Sequence, residues 1–205
     1  MRFAELYVNG EDRSAELNEI ARIIRLEELV AGRYSSLLLI QLAVSYLSGG
    51  LDYHKVMLEI DALERGQATT TKPPAMFSCP FLGGLWHKHY FADGIGCIIK
   101  NLINGINRNG LPWLEERARQ VTESGEEHYL TDEDAAYIAH DTVTGNWERR
   151  SAGRQFTGEW IIYAQHEGQN YYLCLGKHGD DEKIRAQIDE ICAAEFPFLN
   201  ALLGA

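Results

Sequence analysis

Two neighbouring segments, 157–166 and 170–178, constrain the fold most strongly because both are rich in aromatic and β-branched residues. This composition favours β-strands, and Gly168 with Gln169 between them suits a type II′ turn. We therefore predict an antiparallel hairpin. In the register that this turn imposes, one face carries Trp160, Ile162, Ala164, Tyr171, Leu173 and Leu175, and the other carries Tyr163, Gln165, Tyr172 and Cys174. The first face is expected to lie in the core.

The N-terminal segment 1–66 has the apolar period of α-helices. We predict helices over 14–30 and 34–47, followed by a third helix that Asp52 caps and Gly66 ends. The Thr- and Pro-rich segment 67–80 has no such period and is expected to be a linker. Residues 81–205 would then form a second domain.

The second domain mixes helices with the hairpin. A helix over 95–109, capped by Asp93, is expected to bury its isoleucine-rich side, and a terminal helix begins at Asp180. The sequence therefore predicts an α+β fold. Its parts are an N-terminal helical unit, a helix-covered antiparallel β-hairpin or small sheet, and a C-terminal helix.

The net charge of −11 over 205 residues opposes a large nucleic-acid interface, because the phosphate backbone repels an acidic surface. The charge is concentrated in 114–134, where eight acidic residues, Glu126 and Glu127 among them, accompany two arginines. Such a segment is either a solvated surface or a docking site for a basic protein.

The four cysteines are far apart and lie among apolar or aromatic residues, which indicates reduced thiols and a cytosolic protein. The first residues, 1–6, include an early acid and no apolar run, so no leader peptide is expected. The longest apolar stretch, 37–47, is about half the length that a bilayer requires. We expect no membrane span.

Cys79, His87, His89 and Cys97 supply the ligand types of tetrahedral zinc in the pattern C-x7-H-x-H-x7-C. Zinc folds usually present ligands in close pairs, whereas both cysteines here stand alone, so the zinc site stays open and the alternative is that both thiols are small core residues. No cofactor is expected. The one glycine-rich pattern, at 93–96, lacks the preceding strand that a dinucleotide-binding turn needs.

Candidate catalytic residues lie in two groups. His87 and His89 point the same way in an extended segment and can act as an acid and a base near neutral pH. Tyr163 and His178 lie on or beside the hairpin. Arg149, Arg150 and Arg154 precede the hairpin and are candidates for an anion site. The alternatives are histidines that simply pack or hydrogen-bond, and surface arginines that flank a sheet edge.

Two functional hypotheses follow. The first is a protein-interaction or regulatory module of the immunity, antitoxin, defence-related or phage-related kind, because acidic and aromatic surfaces suit protein partners. The second is a metal-independent acid/base enzyme that acts on a phosphodiester. The order of helices and hairpin, with His, Arg and Tyr on the sheet, is loosely similar to small ribonuclease toxins of the barnase and RelE type. That resemblance covers the C-terminal half, carries no specific motif, and conflicts with the acidic charge.

Overall fold

The computed structural model describes residues 7–49, 53–92, 94–125 and 129–204. It has an α+β fold, as predicted, in which helices cover both faces of an antiparallel sheet of four strands. In spatial order the strands are β3 (Ala75–Met76), β4 (Trp86–Tyr90), β5 (Glu159–His166) and β6 (Gln169–Gly176). A separate small hairpin near the N-terminus consists of β1 (Tyr7–Val8) and β2 (Glu11–Asp12).

The β5–β6 hairpin is present, but its turn lies one residue earlier than predicted. His166 pairs with Gln169, so the turn residues are Glu167 and Gly168, with φ of 49° and 76°. Two positive φ values are typical of a type I′ turn rather than type II′. A Gly at the second position allows this conformation at little cost.

The predicted faces of the hairpin are wrong at two positions because β6 contains a bulge. The register shifts between Ile162 and Tyr163, so Cys174 pairs with Ile162 and Leu175 pairs with Ile161. An extra residue in one strand exchanges the faces of the residues that follow. Cys174 therefore packs with the Trp160 face, and Leu175 packs with the Tyr163 face.

The N-terminal helices cover one face of the sheet and share a core with Tyr90, Ile161, Tyr163 and Tyr172. They are α1 (Ser14–Ile23), α2 (Leu26–Val30), α3 (Ser36–Ser48) and α4 (Tyr53–Glu64). The helix predicted over 14–30 is interrupted because Arg25 has a left-handed backbone, with φ of 63°. The predicted cap Asp52 lies outside the described residues.

The segment 67–80, predicted to be a linker, is packed against the sheet. It contributes β3 at the sheet edge, and Thr71 is buried and forms a bridge with Phe156. The division into domains stays a prediction.

The opposite face is covered by the C-terminal helices, which pack on Trp160, Ile162 and Cys174. These helices are α9 (Asp181–Gln187), α10 (Ala193–Glu195) and α11 (Phe198–Leu203), with a π-helical turn (Ile188–Cys192) between α9 and α10. None of the described helices is long and apolar enough to cross a membrane.

A helical segment joins β4 to β5. It comprises α5 (Ile95–Asn109), α6 (Pro112–Ser124), α7 (Asp132–His140) and α8 (Asn146–Ala152), with a π-helical turn (Asp141–Gly145) between α7 and α8. Asn101 and Gly105 of α5 face α8 and are buried. Asn101 Oδ1 accepts hydrogen bonds from Arg150 at 2.9 Å and from the Thr157 N–H at 3.0 Å. This polar network holds α5 in place.

Candidate functional site

Three histidines converge on the face of the sheet that carries Trp160. His87 and His89 are on β4, as predicted, and His178 follows β6. The ring centroids lie 5.4 Å apart for His87 and His89, and 5.6 Å apart for His89 and His178. The sheet register explains this, because Trp160 pairs with both His89 and Gly176, which brings residues at the ends of β4 and β6 together. The Trp160 ring contacts His178, with the centroids 4.1 Å apart.

The histidines are held in their neutral forms at neutral pH. Burial, with the nearby cationic groups, lowers the pKa of His89 to about 4. Burial also lowers the pKa of His87 and of His178. His178 Nε2 and His89 Nδ1 each lie 3.2 Å from the Gly158 carbonyl oxygen. With its Nε2–H donated to that oxygen, His178 has an unprotonated Nδ1.

Tyr163 lies on the opposite face of the sheet and does not join the histidines. Its ring packs between Trp86 and Tyr172, with centroids 6.4 Å and 5.8 Å away. Burial raises its pKa to about 12. A phenol held in this environment keeps its proton and contributes to the core.

The three arginines are dispersed. Arg149 forms an ion pair with Asp141, with 2.9 Å between Nη1 and Oδ1. Arg150 is buried and bonds to Asn101 and to the Gln155 carbonyl. Arg154 lines a 320 Å³ cavity on the Tyr163 side. The structure therefore does not gather them beside the histidines.

The two cysteines of the C-x7-H-x-H-x7-C pattern also have separate partners. Cys97 Sγ donates to the Thr157 carbonyl at 3.4 Å, whereas Cys79 Sγ lies 3.8 Å from Asp181 Oδ1. Across the described ranges, no group of three or more His, Cys, Asp or Glu side chains is arranged to hold a metal ion. Zinc at Cys79, His87, His89 and Cys97 is therefore not supported by their geometry.

A cleft of about 810 Å³ begins beside His178 and lies between α3, the start of α5, the ends of β5 and β6, and α9. Lys100, Lys177 and Lys183 line it together with the carboxylates Glu159 and Asp180. These lysines were not predicted to be site residues because each stands alone in the sequence. Only Lys177 could have been recognised as a candidate, because it directly precedes the candidate residue His178.

The start of α5 at this cleft corrects one further expectation. Strand β4 ends at Tyr90 and α5 begins at Ile95, so the glycines Gly94 and Gly96 do follow a strand. Gly94 and Gly96 both line the cleft. The sheet is antiparallel, which differs from the parallel β-α-β unit of a dinucleotide-binding turn. Asp93, the predicted cap, lies outside the described residues.

The apolar side of α5 is the second notable surface. We expected its isoleucines to be buried, but Ile95, Ile98, Ile99 and Ile103 are 76%, 44%, 49% and 51% exposed. These four residues, which we call the α5 stripe, share one side of the helix because they are three or four positions apart. The expectation was wrong because the polar and small side of α5, with Asn101 and Gly105, packs inward instead.

Comparisons with protein-family models, with curated proteins and with solved structures found no match to this chain.

Proposed function

We propose that this chain is a cytosolic protein-binding module with a regulatory role, and that the α5 stripe is its docking surface. The exposure of this stripe is the observation that carries the proposal. Contiguous exposed apolar residues of this kind are typical of surfaces that a partner covers. Because these isoleucines are 44–76% exposed, covering each of them contributes roughly 0.7–2 kcal/mol, and several must be covered together to offset the cost of association.

The charges beside the stripe favour an acidic partner surface. Helix α5 carries Lys100 and Arg108 and has no acidic residue, in a chain whose net charge is −11. An apolar surface with acidic groups at its edges would complement both features. The acidic segment 114–134 remains a second, separate proposal for a basic partner. Its residues Glu126 and Glu127 lie outside the described residues.

Site-specific photo-crosslinking tests the docking proposal. A photoreactive phenylalanine analogue is placed at Ile99 or Ile103 in cells that naturally produce the protein. We expect one discrete adduct with another protein from both positions, because the bound partner covers the stripe. The matched control is Ile23 on α1, which is 50% exposed, as Ile99 is 49% exposed.

The control position is expected to give no such adduct. Equal adducts from Ile23, or none from the stripe, would overturn docking at α5. An adduct between two copies of this chain would contradict the proposal that the partner is a different protein with an acidic surface.

A second candidate function is metal-independent acid/base catalysis on a phosphodiester, favoured by the convergence of three histidines, of which His178 lines a cleft. His178 is the most accessible of them and would accept the proton of the attacking hydroxyl at Nδ1. His87, in its protonated form, would donate a proton to the leaving oxygen as the P–O bond breaks, and the proton that His178 accepted would return through solvent to His87 to complete the turnover. Tyr163 and the arginines take no part in this version.

Hydrolysis of bis(4-nitrophenyl) phosphate and of single-stranded RNA, with chelator present, tests this second candidate. The rate should pass through a maximum and fall toward neutral pH, because His178 must be unprotonated while His87, whose pKa burial also lowers, must be protonated. His178→Gln should reduce the rate by about 100-fold or more, and His87→Ala and His89→Ala should do the same. His54→Gln on α4 is the control. Absent turnover, or equal rates in His178→Gln and wild type, would contradict catalysis.

A further inference from the structure

The cleft beside His178 is large enough for a small organic molecule and has one apolar side. Its volume of about 810 Å³ lies within the range of about 300–1,000 Å³ that is typical of ligand sites. Ile40 and Val44 of α3, Leu175 of β6 and Ile184 of α9 supply the apolar side. An apolar ring or chain can rest there without burying unpaired polar groups.

The other side of the cleft carries lysines that are free to meet a ligand. Within 7–49, 53–92, 94–125 and 129–204, neither Lys100 nor Lys183 has a carboxylate within ion-pair distance. Lys177 is 3.6 Å from Glu159, and Glu159 also accepts a hydrogen bond from the Tyr90 hydroxyl at 2.9 Å.

Asp180 is the other carboxylate among the described residues of the lining, where lysines outnumber carboxylates in an otherwise acidic chain. A cleft that concentrates positive charge in a protein of negative net charge favours the binding of an anion.

One more feature of the lining favours a phosphate group. At the start of α5, Gly94 and Gly96 have open space beside their α-carbons and leave the backbone accessible. The charge of Lys100 reaches the cleft, because after burial it is the largest cause of the lowered pKa of His178, which also lines the cleft.

We infer that this cleft binds a small molecule that carries a phosphate group on an apolar body. Lys100 and Lys183 contact the phosphate, and the side formed by Ile40, Val44, Leu175 and Ile184 holds the apolar body. This site shares Lys100 with the edge of the α5 stripe, but ligand binding in the cleft does not depend on a partner. It also requires no catalysis, so its test measures binding alone.

Calorimetric titration with phenyl phosphate tests the inference, with phenol as the uncharged control. We expect saturable binding of phenyl phosphate and none of phenol at the same concentration. Lys100→Gln with Lys183→Gln should weaken binding at least about tenfold, because each lost contact to a charged group costs more than about 1.4 kcal/mol. Lys100→Arg with Lys183→Arg should keep most of the binding.

The matched control is Arg13→Gln with Arg22→Gln, which removes the same charge from exposed positions in and beside α1. This control should bind as wild type does. A loss of equal size in the control would show that only net charge matters and would overturn the site. Saturable phenol binding equal to that of phenyl phosphate would overturn the phosphate class, and absent binding of phenyl phosphate would overturn the inference itself. None of these three results tests docking at the α5 stripe.

Discussion

Replacing Lys88 with Met is expected to lower the free energy of unfolding by about 3–5 kcal/mol, because it leaves a buried carboxylate without its cation. Lys88 lies on β4 and is 3% exposed. Its Nζ is 3.1 Å from Glu59 Oε2 and donates to the Lys72 carbonyl at 2.8 Å and to Thr69 Oγ1 at 2.9 Å. Burial lowers the pKa of Lys88, and the Glu59 charge opposes this effect. The pair connects α4 and the segment 67–80 to the strand that carries His87 and His89.

Urea unfolding of four chains measures this effect: wild type, Lys88→Met, Glu59→Leu and the double variant. Each single variant should lose several kcal/mol, whereas the double variant should recover much of the loss because no unpaired charge stays buried. Strictly additive losses would contradict the ion pair as the cause. The control is Arg65→Met, which removes an exposed cation paired with Asp61 and should cost less than about 1 kcal/mol.

The hairpin could be predicted from sequence because its signals are local. Aromatic and β-branched residues favour strands, and a glycine marks the turn. The bulge in β6, opposite Ile162 and Tyr163, could not be predicted because no local pattern in the sequence marks it. That one extra residue moved Cys174 and Leu175 to faces opposite to those predicted.

For helix α5, the apolar period predicted the helix but not the side that packs against the core. The period correctly indicated a helix with an isoleucine-rich side, but it does not say which side faces the core. Here a buried hydrogen-bond network of Asn101, Arg150 and Thr157 selects the polar side as the inner one. The sequence did contain a signal for the inner side of α5. Asn101 and Gly105 are four positions apart and so lie on the same side of the helix, and small and amide side chains permit close helix packing.

The candidate site could be predicted only in part. The spacing of His87 and His89 correctly placed both side chains on one face of a strand. The position of His178 required the strand order of the sheet, which no local pattern contains. The arginines are close together in sequence, yet helix α8 and the turn after it point them toward different partners.

Replacing Ile99 and Ile103 together with Asp is expected to weaken partner binding by about 100-fold or more. The change removes two apolar contacts, each of roughly 0.7–1.5 kcal/mol for a half-exposed isoleucine, and forces two carboxylates to lose water in the interface, which adds the larger cost. The same change should reduce the free energy of unfolding by less than about 1 kcal/mol, because surface substitutions cost little. Ile23→Asp on α1 is the control and should leave partner binding unchanged.

The measurement that tests the docking proposal most directly pairs two quantities for the Ile99→Asp, Ile103→Asp double variant. These are its free energy of unfolding in urea and its affinity for the partner identified by crosslinking at the stripe. We predict near wild-type stability together with lost affinity. A loss of several kcal/mol of stability would mean that the isoleucines belong to the core, and retained affinity would mean that the partner binds elsewhere; either result would contradict docking at the α5 stripe.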